Sequence, residues 1–177
     1  MGHVPYEQLE KMVSFFYDMD YDEELAEGGS RTSLQLHARM SALADEYEIA
    51  DLLSKAQAKY RMRCDKTWNA LEFLSSVPDV FELTPASLRE LRHTACISVR
   101  RYLPGMLEDS ITAECFERTL SENPTFAKDL LGSYIKNPLF GYCQTCRSDN
   151  GMEPLQTRCQ SCNKGQGSVR SHWHPTL

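Results

Sequence analysis

Four of the seven cysteines form two Cys-x-x-Cys pairs separated by twelve residues, near the carboxyl end of the sequence. The first pair is Cys143 with Cys146, and the second is Cys159 with Cys162. Each pair can bring two thiolates to one ion, and two such pairs complete the tetrahedron of a structural zinc site. We therefore predict that these four residues bind one structural Zn²⁺ and that metal binding folds the segment around them. A catalytic zinc is not predicted, because four cysteine ligands leave no open position.

Other interpretations of this region remain open. A redox dithiol would also use a Cys-x-x-Cys pair, although thioredoxin-type motifs need a βαβ setting that the sequence does not indicate. The pairs would also be without a role if the segment were an unfolded tail. His172 and His174, which flank Trp173, are further candidate zinc ligands, although such terminal residues are more often exposed.

Apolar residues before residue 140 recur at the three- and four-residue steps of amphipathic helices. The first predicted helix covers residues 5–20, with Leu9, Met12, Val13 and Phe16 at helical spacing. Two further helices, over residues 36–47 and 49–60, are predicted to pack against each other. A coiled coil is the weaker interpretation, because each piece holds only about two heptads.

Prolines and capping residues mark the predicted helix starts and ends in the rest of the helical region. The predicted elements are a short helix over 68–74 ended by Pro78, a turn at Val80-Phe81, a helix that starts at Thr84-Pro85 and stops at residues 103–105, a helix over 110–121, and a helix that starts at Asn123-Pro124 and ends before Asn137-Pro138. No convincing period-two run precedes residue 140, so we predict a mainly α fold.

Charge and composition exclude several classes of function. The net charge of −6 argues against a chain that grips a phosphate backbone along its whole length. Residues 141–177 carry four basic and two acidic residues, but zinc-bound thiolates would cancel this small excess. No segment resembles a signal peptide or a membrane-spanning helix, and the odd cysteine count is unlike a secreted disulfide framework. These features predict an intracellular protein, nuclear or cytoplasmic.

No motif in the sequence indicates catalysis. His3, His37 and His93 have no nucleophile partner in a recognisable motif, and we interpret them as ordinary helix residues. The acidic stretch at residues 18–27 lacks the residue order of a calcium-binding loop, so a solvated loop is predicted there. Arg100-Arg101 is interpreted as a solvated helix end. The chain is therefore predicted not to be an enzyme.

The order of several short motifs is similar to that of a BTB/POZ domain protein of the type common in filamentous fungi. The motifs similar to the second half of the domain are residues 9–13 (LEKMV) with Phe16-Tyr17 and Tyr21, residues 42–49 (ALADEYEI), Ala56 and Tyr60. Those similar to the family's helical extension are Trp68, Phe81, Thr84-Pro85, Leu88-Arg89, Leu91-Arg92, and Asn123-Pro124 with Phe126 and Leu130-Leu131. The family often closes with a cysteine-pair cluster, as this sequence does.

The resemblance implies four segments. They are a carboxyl-terminal half of a BTB-like domain at 1–64, a helical extension at 65–138, a zinc knuckle at 139–165 and a flexible tail at 166–177. The family's first half, which builds the sheet and most of the dimer interface, would precede residue 1, so the chain is expected to be a truncated or shortened form. Dimerisation and a cullin-dependent ubiquitin-ligase role therefore do not carry over directly. Without the sheet, the inner faces of the first helices are expected to be exposed.

We predict a non-enzymatic protein–protein interaction module, a BTB/POZ-like adaptor or scaffold with one structural zinc. Its partner is expected to be another protein of unknown identity, with a homo-oligomer also possible. The alternative is a nucleic-acid-binding transcriptional regulator that acts through the knuckle, with Arg170 and Trp173 as contacts. The net negative charge argues against that alternative.

Overall fold

The computed structural model describes residues 5–23, 31–83 and 89–136, together with the backbone of residues 139–143, 149–152 and 167–168. The chain divides into two compact units, Met1–Ala127 and Lys128–Leu177. The fold is mainly α, as predicted. The described elements are α1 (Tyr6–Asp18), α2 (Ser33–Glu46), α3 (Ala50–Lys66), α4 (Ala70–Pro78), a π-helical segment (Asp79–Leu83), α5 (Arg89–Glu108), α6 (Ser110–Glu122), α7 (Pro124–Lys136), β1 (Leu139–Cys143), β2 (Asp149–Met152) and β3 (Gly167–Ser168). None of the described helices combines the length and the apolar character that crossing a bilayer requires.

Helix α2 lies at the centre of the first unit, where it contacts α1, α3, α4 and the π-helical segment. Its sequence suits this position, because Arg39 is its only charged residue before Asp45. The helix begins at a capping box: Thr32 Oγ1 accepts a hydrogen bond from the Gln35 amide at 3.3 Å, and Gln35 Oε1 accepts one from the Thr32 amide at 2.9 Å. The central helix therefore starts at a position that its own sequence specifies.

The core of the first unit is built around the predicted packing of α2 against α3, which the structure confirms. Met40 and Leu43 of α2 meet Leu52 and Ala56 of α3, and Phe15 of α1 closes the cluster. Each large side chain in such a core contributes about 1.5–3 kcal/mol through the apolar surface that it buries. This cluster is what holds α1 to the rest of the unit.

The turn between α2 and α3 holds a residue in a backbone conformation that favours glycine. Glu48 has a φ of 55°, in the left-handed region. The Glu48 amide donates to the Asp45 carbonyl at 3.2 Å, and the Ile49 amide donates to the Ala44 carbonyl at 2.8 Å. These two bonds form a Schellman motif, in which the left-handed position is usually glycine.

Replacing Glu48 with Gly is expected to raise the free energy of unfolding by roughly 0.5–1 kcal/mol, because glycine adopts this conformation without a Cβ clash. Chemical denaturation of the purified protein measures the change. Glu48→Ala is the matched control, since it removes the same carboxylate but keeps the Cβ, and it should bring no such gain. Equal stability of the Gly and Ala variants would show that Glu48 is not strained.

Of the two prolines predicted to end helices, Pro78 is the last residue of α4, although the π-helical segment follows it directly, whereas Pro104 does not end α5, which continues to Glu108. A proline removes one helical hydrogen bond, but it does not prevent continuation where packing holds the next turn. Val80 after the first proline and Met106 after the second are both buried. The start signal predicted at Thr84-Pro85 lies outside the described residues.

Helices α6 and α7 begin where predicted, but the inward face of α6 differs from its apolar spacing, which places four residues inward: Ile111, Cys115, Phe116 and Leu120. Asp109 caps α6 by accepting a hydrogen bond from the Thr112 amide at 2.9 Å. Phe116 is buried as expected, whereas Ile111 is 63% exposed. Ile111 lies roughly 140° around the helix from Phe116. Thr112 and Thr119, at steps of four and three from Phe116, take the inward positions.

The second unit contains a small antiparallel sheet with the strand order β2-β1-β3. Strand β1 pairs with β2 so that Leu139 lies opposite Met152. It also pairs with β3 so that Cys143, the last residue of β1, lies opposite Gly167. The first predicted zinc ligand therefore stands at a strand end.

Candidate interaction surface

Helix α1 turns an apolar face outwards. Tyr6, Val13, Phe16 and Tyr17 lie on this face, with exposed fractions of 77, 49, 57 and 84%. We call these four residues the α1 face. A fully exposed aromatic residue has ~150–250 Å² of accessible surface. At these exposed fractions, the three aromatic residues together expose on the order of 450 Å². That area equals the largest apolar patch of a typical monomer, and such patches are often functional.

The inward face of α1 carries polar residues. Gln8 and Lys11 are buried, beside the core residue Phe15. The Lys11 ammonium donates to the Asp22 carboxylate at 2.5 Å and also to the Asp22 carbonyl at 3.3 Å. A surface helix normally places its apolar residues inside and its charges outside. Helix α1 departs from this pattern, because it buries Lys11 and Gln8 beside Phe15 and also carries apolar residues on its outer side, as a helix needs if a second surface covers that side.

Few charges surround the α1 face. Glu7, at its edge, is paired with Arg31 at 3.2 Å. Asp18, at the carboxyl end of α1, and Glu10 are exposed. Because Glu10 alone lies among the apolar residues of the face itself, the surface offers a partner mainly hydrophobic contact.

A solvated loop was predicted after α1. The described part of this segment, residues 18–23, instead packs against the helices. Tyr21 is only 2% exposed. Lys59 of α3 donates to the Tyr21 carbonyl at 2.6 Å, forms an ion pair with Asp20 at 2.9 Å and lies 4.5 Å from the centre of the Tyr21 ring. The acidic residues therefore neutralise lysines of α3 and tie the end of α1 to the helical core. The remainder of the acidic stretch lies outside the described residues.

His37, interpreted from the sequence as an ordinary helix residue, is fully buried in α2. Its Nδ1 is hydrogen bonded to the Tyr21 hydroxyl at 2.8 Å. Its Nε2 lies 3.7 Å from a carboxylate oxygen of Glu23 and has no hydrogen-bond partner among the described residues. Burial lowers the pKa of His37 to about 3, and the positive charges of Lys59 and Arg63 act in the same direction. The imidazole is therefore neutral at pH 7.

A sequence signal for this burial exists in α2. Leu34, His37, Ser41 and Ala44 are spaced at three, four and three residues and are all buried, alongside the predicted stripe that contains Met40. Two such stripes on one nearly uncharged helix indicate a helix that is buried on two sides. The histidine belongs to the second stripe, whereas the predicted helix was defined by the first.

A groove with a volume of about 510 Å³ lies beside Trp68 and Tyr102 in the first unit. These two rings stack on each other at a centroid distance of 4.2 Å. The polar residues of the groove are already engaged, because Asn69 caps α4 through the Glu72 amide and the Thr112 amide is bound by Asp109. The groove therefore holds no cluster of free titratable groups of the kind that an active site uses.

Most of the predicted zinc-site residues lie outside the described residues. The backbone of Cys143 ends β1, while Cys146, Cys159 and Cys162 fall in stretches that are not described. The same holds for the other candidates in the tail, Arg170, His172, Trp173 and His174. Among the residues whose side chains are described, no group of three or more His, Cys, Asp or Glu is placed to hold a metal ion.

The three remaining cysteines, scattered through helical sequence, are predicted to be small apolar fillers, and the structure shows all three as thiols. Cys64 and Cys96 are buried, which agrees with the prediction, whereas Cys115 is partly exposed. Burial raises the pKa of the Cys64 thiol to about 12, so this residue stays protonated and unreactive at neutral pH. Of Arg100-Arg101, predicted as solvated, Arg100 is in fact buried.

Comparison with known proteins adds no relative. No family model, no curated protein and no solved structure matches this chain. The resemblance to BTB/POZ proteins therefore rests on the residues quoted above. The functional conclusion below depends on the chemistry of the α1 face.

Proposed function

We propose that this chain is a non-enzymatic protein–protein interaction module, an adaptor or scaffold of BTB/POZ type that binds another protein through the α1 face. The observation that carries the proposal is the outer side of α1, where Tyr6, Phe16 and Tyr17 are exposed while Lys11 of the same helix is buried. Exposing large apolar side chains to water is unfavourable by about 25 cal/mol per Å². A partner that covers the face recovers this free energy.

The BTB/POZ part of the proposal is supported by the order of the first three helices. The motif at residues 9–13 lies in α1, and residues 42–49 cover the end of α2 and the turn before α3. The resemblance also led us to expect apolar surface on these helices, and Phe16 and Tyr17, both part of its motifs, lie on the α1 face.

We also propose one structural zinc bound by Cys143, Cys146, Cys159 and Cys162. The position of Cys143 supports this site. Cys143 is the last residue of β1 and β2 begins at Asp149, so the first Cys-x-x-Cys pair starts where a strand ends. The absence of a free catalytic cluster within the described part of the chain supports a binding role rather than an enzyme. An intracellular location, nuclear or cytoplasmic, belongs to the same proposal and suits a chain in which Cys64 and Cys96 are thiols rather than a disulfide.

The test is affinity capture with the wild-type chain and two matched variants. Phe16→Glu places a charge on the α1 face, whereas Ile111→Glu places one at an exposed apolar site of similar exposure on α6. We expect Phe16→Glu to reduce recovery of the partners at least ~10-fold and Ile111→Glu to leave it unchanged. Circular dichroism checks that both variants keep their helices. Equal recovery by all three proteins would contradict the proposed role of the α1 face.

A further inference from the structure

We propose that the α1 face binds the α1 face of a second copy of this chain, so that two α1 helices pack antiparallel about a two-fold axis. This inference rests on the proposed function and specifies its partner. Three features of α1 support a second copy: the area of the face, the spacing of its side chains and the small number of its charges.

The exposed area is sufficient for a reversible dimer. The three aromatic residues of the face expose on the order of 450 Å² per chain, and Val13 and the 58% exposed Met19 add to it. Two copies would bury about 1,000 Å² in total, which is the lower limit for a specific interface and below the ~1,600 Å² of a standard one. A dimer of this size is expected to dissociate in the micromolar range rather than to be permanent.

The spacing of the face is self-complementary, as a two-fold interface requires. Tyr6 and Tyr17 are eleven residues apart, so they stand about 16 Å apart along the helix and on the same side of it. Leu9 and Val13 lie between them. In an antiparallel pair, Tyr6 of one chain therefore meets Tyr17 of the other at each end, and the aliphatic residues meet at the centre.

The charges of α1 also favour a copy of the same surface over a charged partner. Glu7 is engaged by Arg31 and Lys11 by Asp22. The face therefore presents neither a basic nor an acidic cluster that a charged protein surface would match. Its one charge, Glu10, is exposed and would stand about 4.5 Å along the axis from its copy, so the two carboxylates must turn outwards to solvent in the dimer. A surface as apolar as itself suits it, and the antiparallel arrangement also opposes the two helix dipoles favourably.

Sedimentation velocity of the full chain across the micromolar range tests this dimer, with variants designed from the predicted contact. Tyr17→Glu should weaken the dimer at least ~100-fold, because two carboxylates per dimer would be buried against tyrosine rings. The double variant Tyr6→Lys with Tyr17→Glu should recover most of that loss, since each new ammonium would face the new carboxylate of the other chain. Ile111→Glu, away from the face, should sediment like the wild type.

The outcomes separate this inference from the proposed function. A wild-type chain that stays monomeric throughout the range overturns the dimer, as does a dimer that Tyr17→Glu leaves intact. If the monomer nevertheless captures a different protein, and Phe16→Glu abolishes that capture, the α1 face is an interaction surface for another partner. If the chain is monomeric and capture is insensitive to Phe16→Glu, both proposals fail.

Discussion

As the pH falls from 6.5 to 4, the protein is expected to lose roughly 3 kcal/mol of its free energy of unfolding through His37 alone. The pKa of His37 is lowered to about 3 in the folded chain, against 6.5 for an ordinary histidine. Between these two values the unfolded chain binds a proton that the folded chain does not, so stability falls with pH at up to ~1.4 kcal/mol per pH unit. The contribution is fully present above pH 6.5 and is completely lost below pH 3.

Burial and the groups around the imidazole together lower the pKa of His37. Lys59 and Arg63 oppose its protonation, Asp20 favours it, and Tyr21 occupies its Nδ1. Urea denaturation at a series of pH values, with His37→Gln as the variant, measures the effect. The variant should show a shallower slope between pH 6.5 and 4 than the wild type. His93→Gln, on the exposed face of α5, is the control for the loss of one imidazole. Parallel stability curves for the wild type and His37→Gln would contradict this role of His37.

Replacing Cys146 with Ser is expected to remove the zinc ion and to unfold residues 140–164. Structural zinc sites contribute ~10–16 kcal/mol of apparent binding free energy, so the loss of one ligand is a large change for so short a segment. Native mass spectrometry should find one zinc per wild-type chain and none in Cys146→Ser. Limited proteolysis should then cleave the variant within 140–164.

Cys115→Ser is the matched control, because it removes a partly exposed thiol from α6 without touching the two cysteine pairs. It should retain one zinc per chain, and the helices of the first unit should resist protease in both variants. A wild-type chain that carries no zinc, or a Cys146→Ser variant that is cleaved no faster, would exclude the structural zinc site.

Residue patterns along the chain predicted the helices well where local signals decide them. The break near Glu48, the end of α4 at Pro78 and the start at Pro124 each depend on residues within one turn of the boundary. Pro104 misled the prediction, because the buried side chains that hold the next turn come from packing between helices.

The candidate site was only partly predictable for the same physical reason. The apolar stripe of α1 is visible in the sequence, but the resemblance to BTB/POZ proteins implied exposed inner faces on the first helices, whereas the inner faces of α2 and α3 are buried against each other. The periodicity of the sequence does not predict, however, that Lys11 is buried, because its burial depends on a contact with Asp22, eleven residues away. His37 likewise becomes a buried, neutral group only because Tyr21 and Glu23 fold over it. Contacts between segments decide both cases.

Hydroxyl-radical footprinting of the tyrosines would test most directly whether the α1 face is an interaction surface. The dilute chain is compared with its complex, formed either with itself at high concentration or with a captured partner. We expect Tyr6 and Tyr17 to react readily when dilute and to be protected in the complex. The buried Tyr21 and Tyr60 should stay unreactive throughout and serve as internal references. Tyr6 and Tyr17 that are protected in the dilute monomer, or that stay reactive in the complex, would contradict the account.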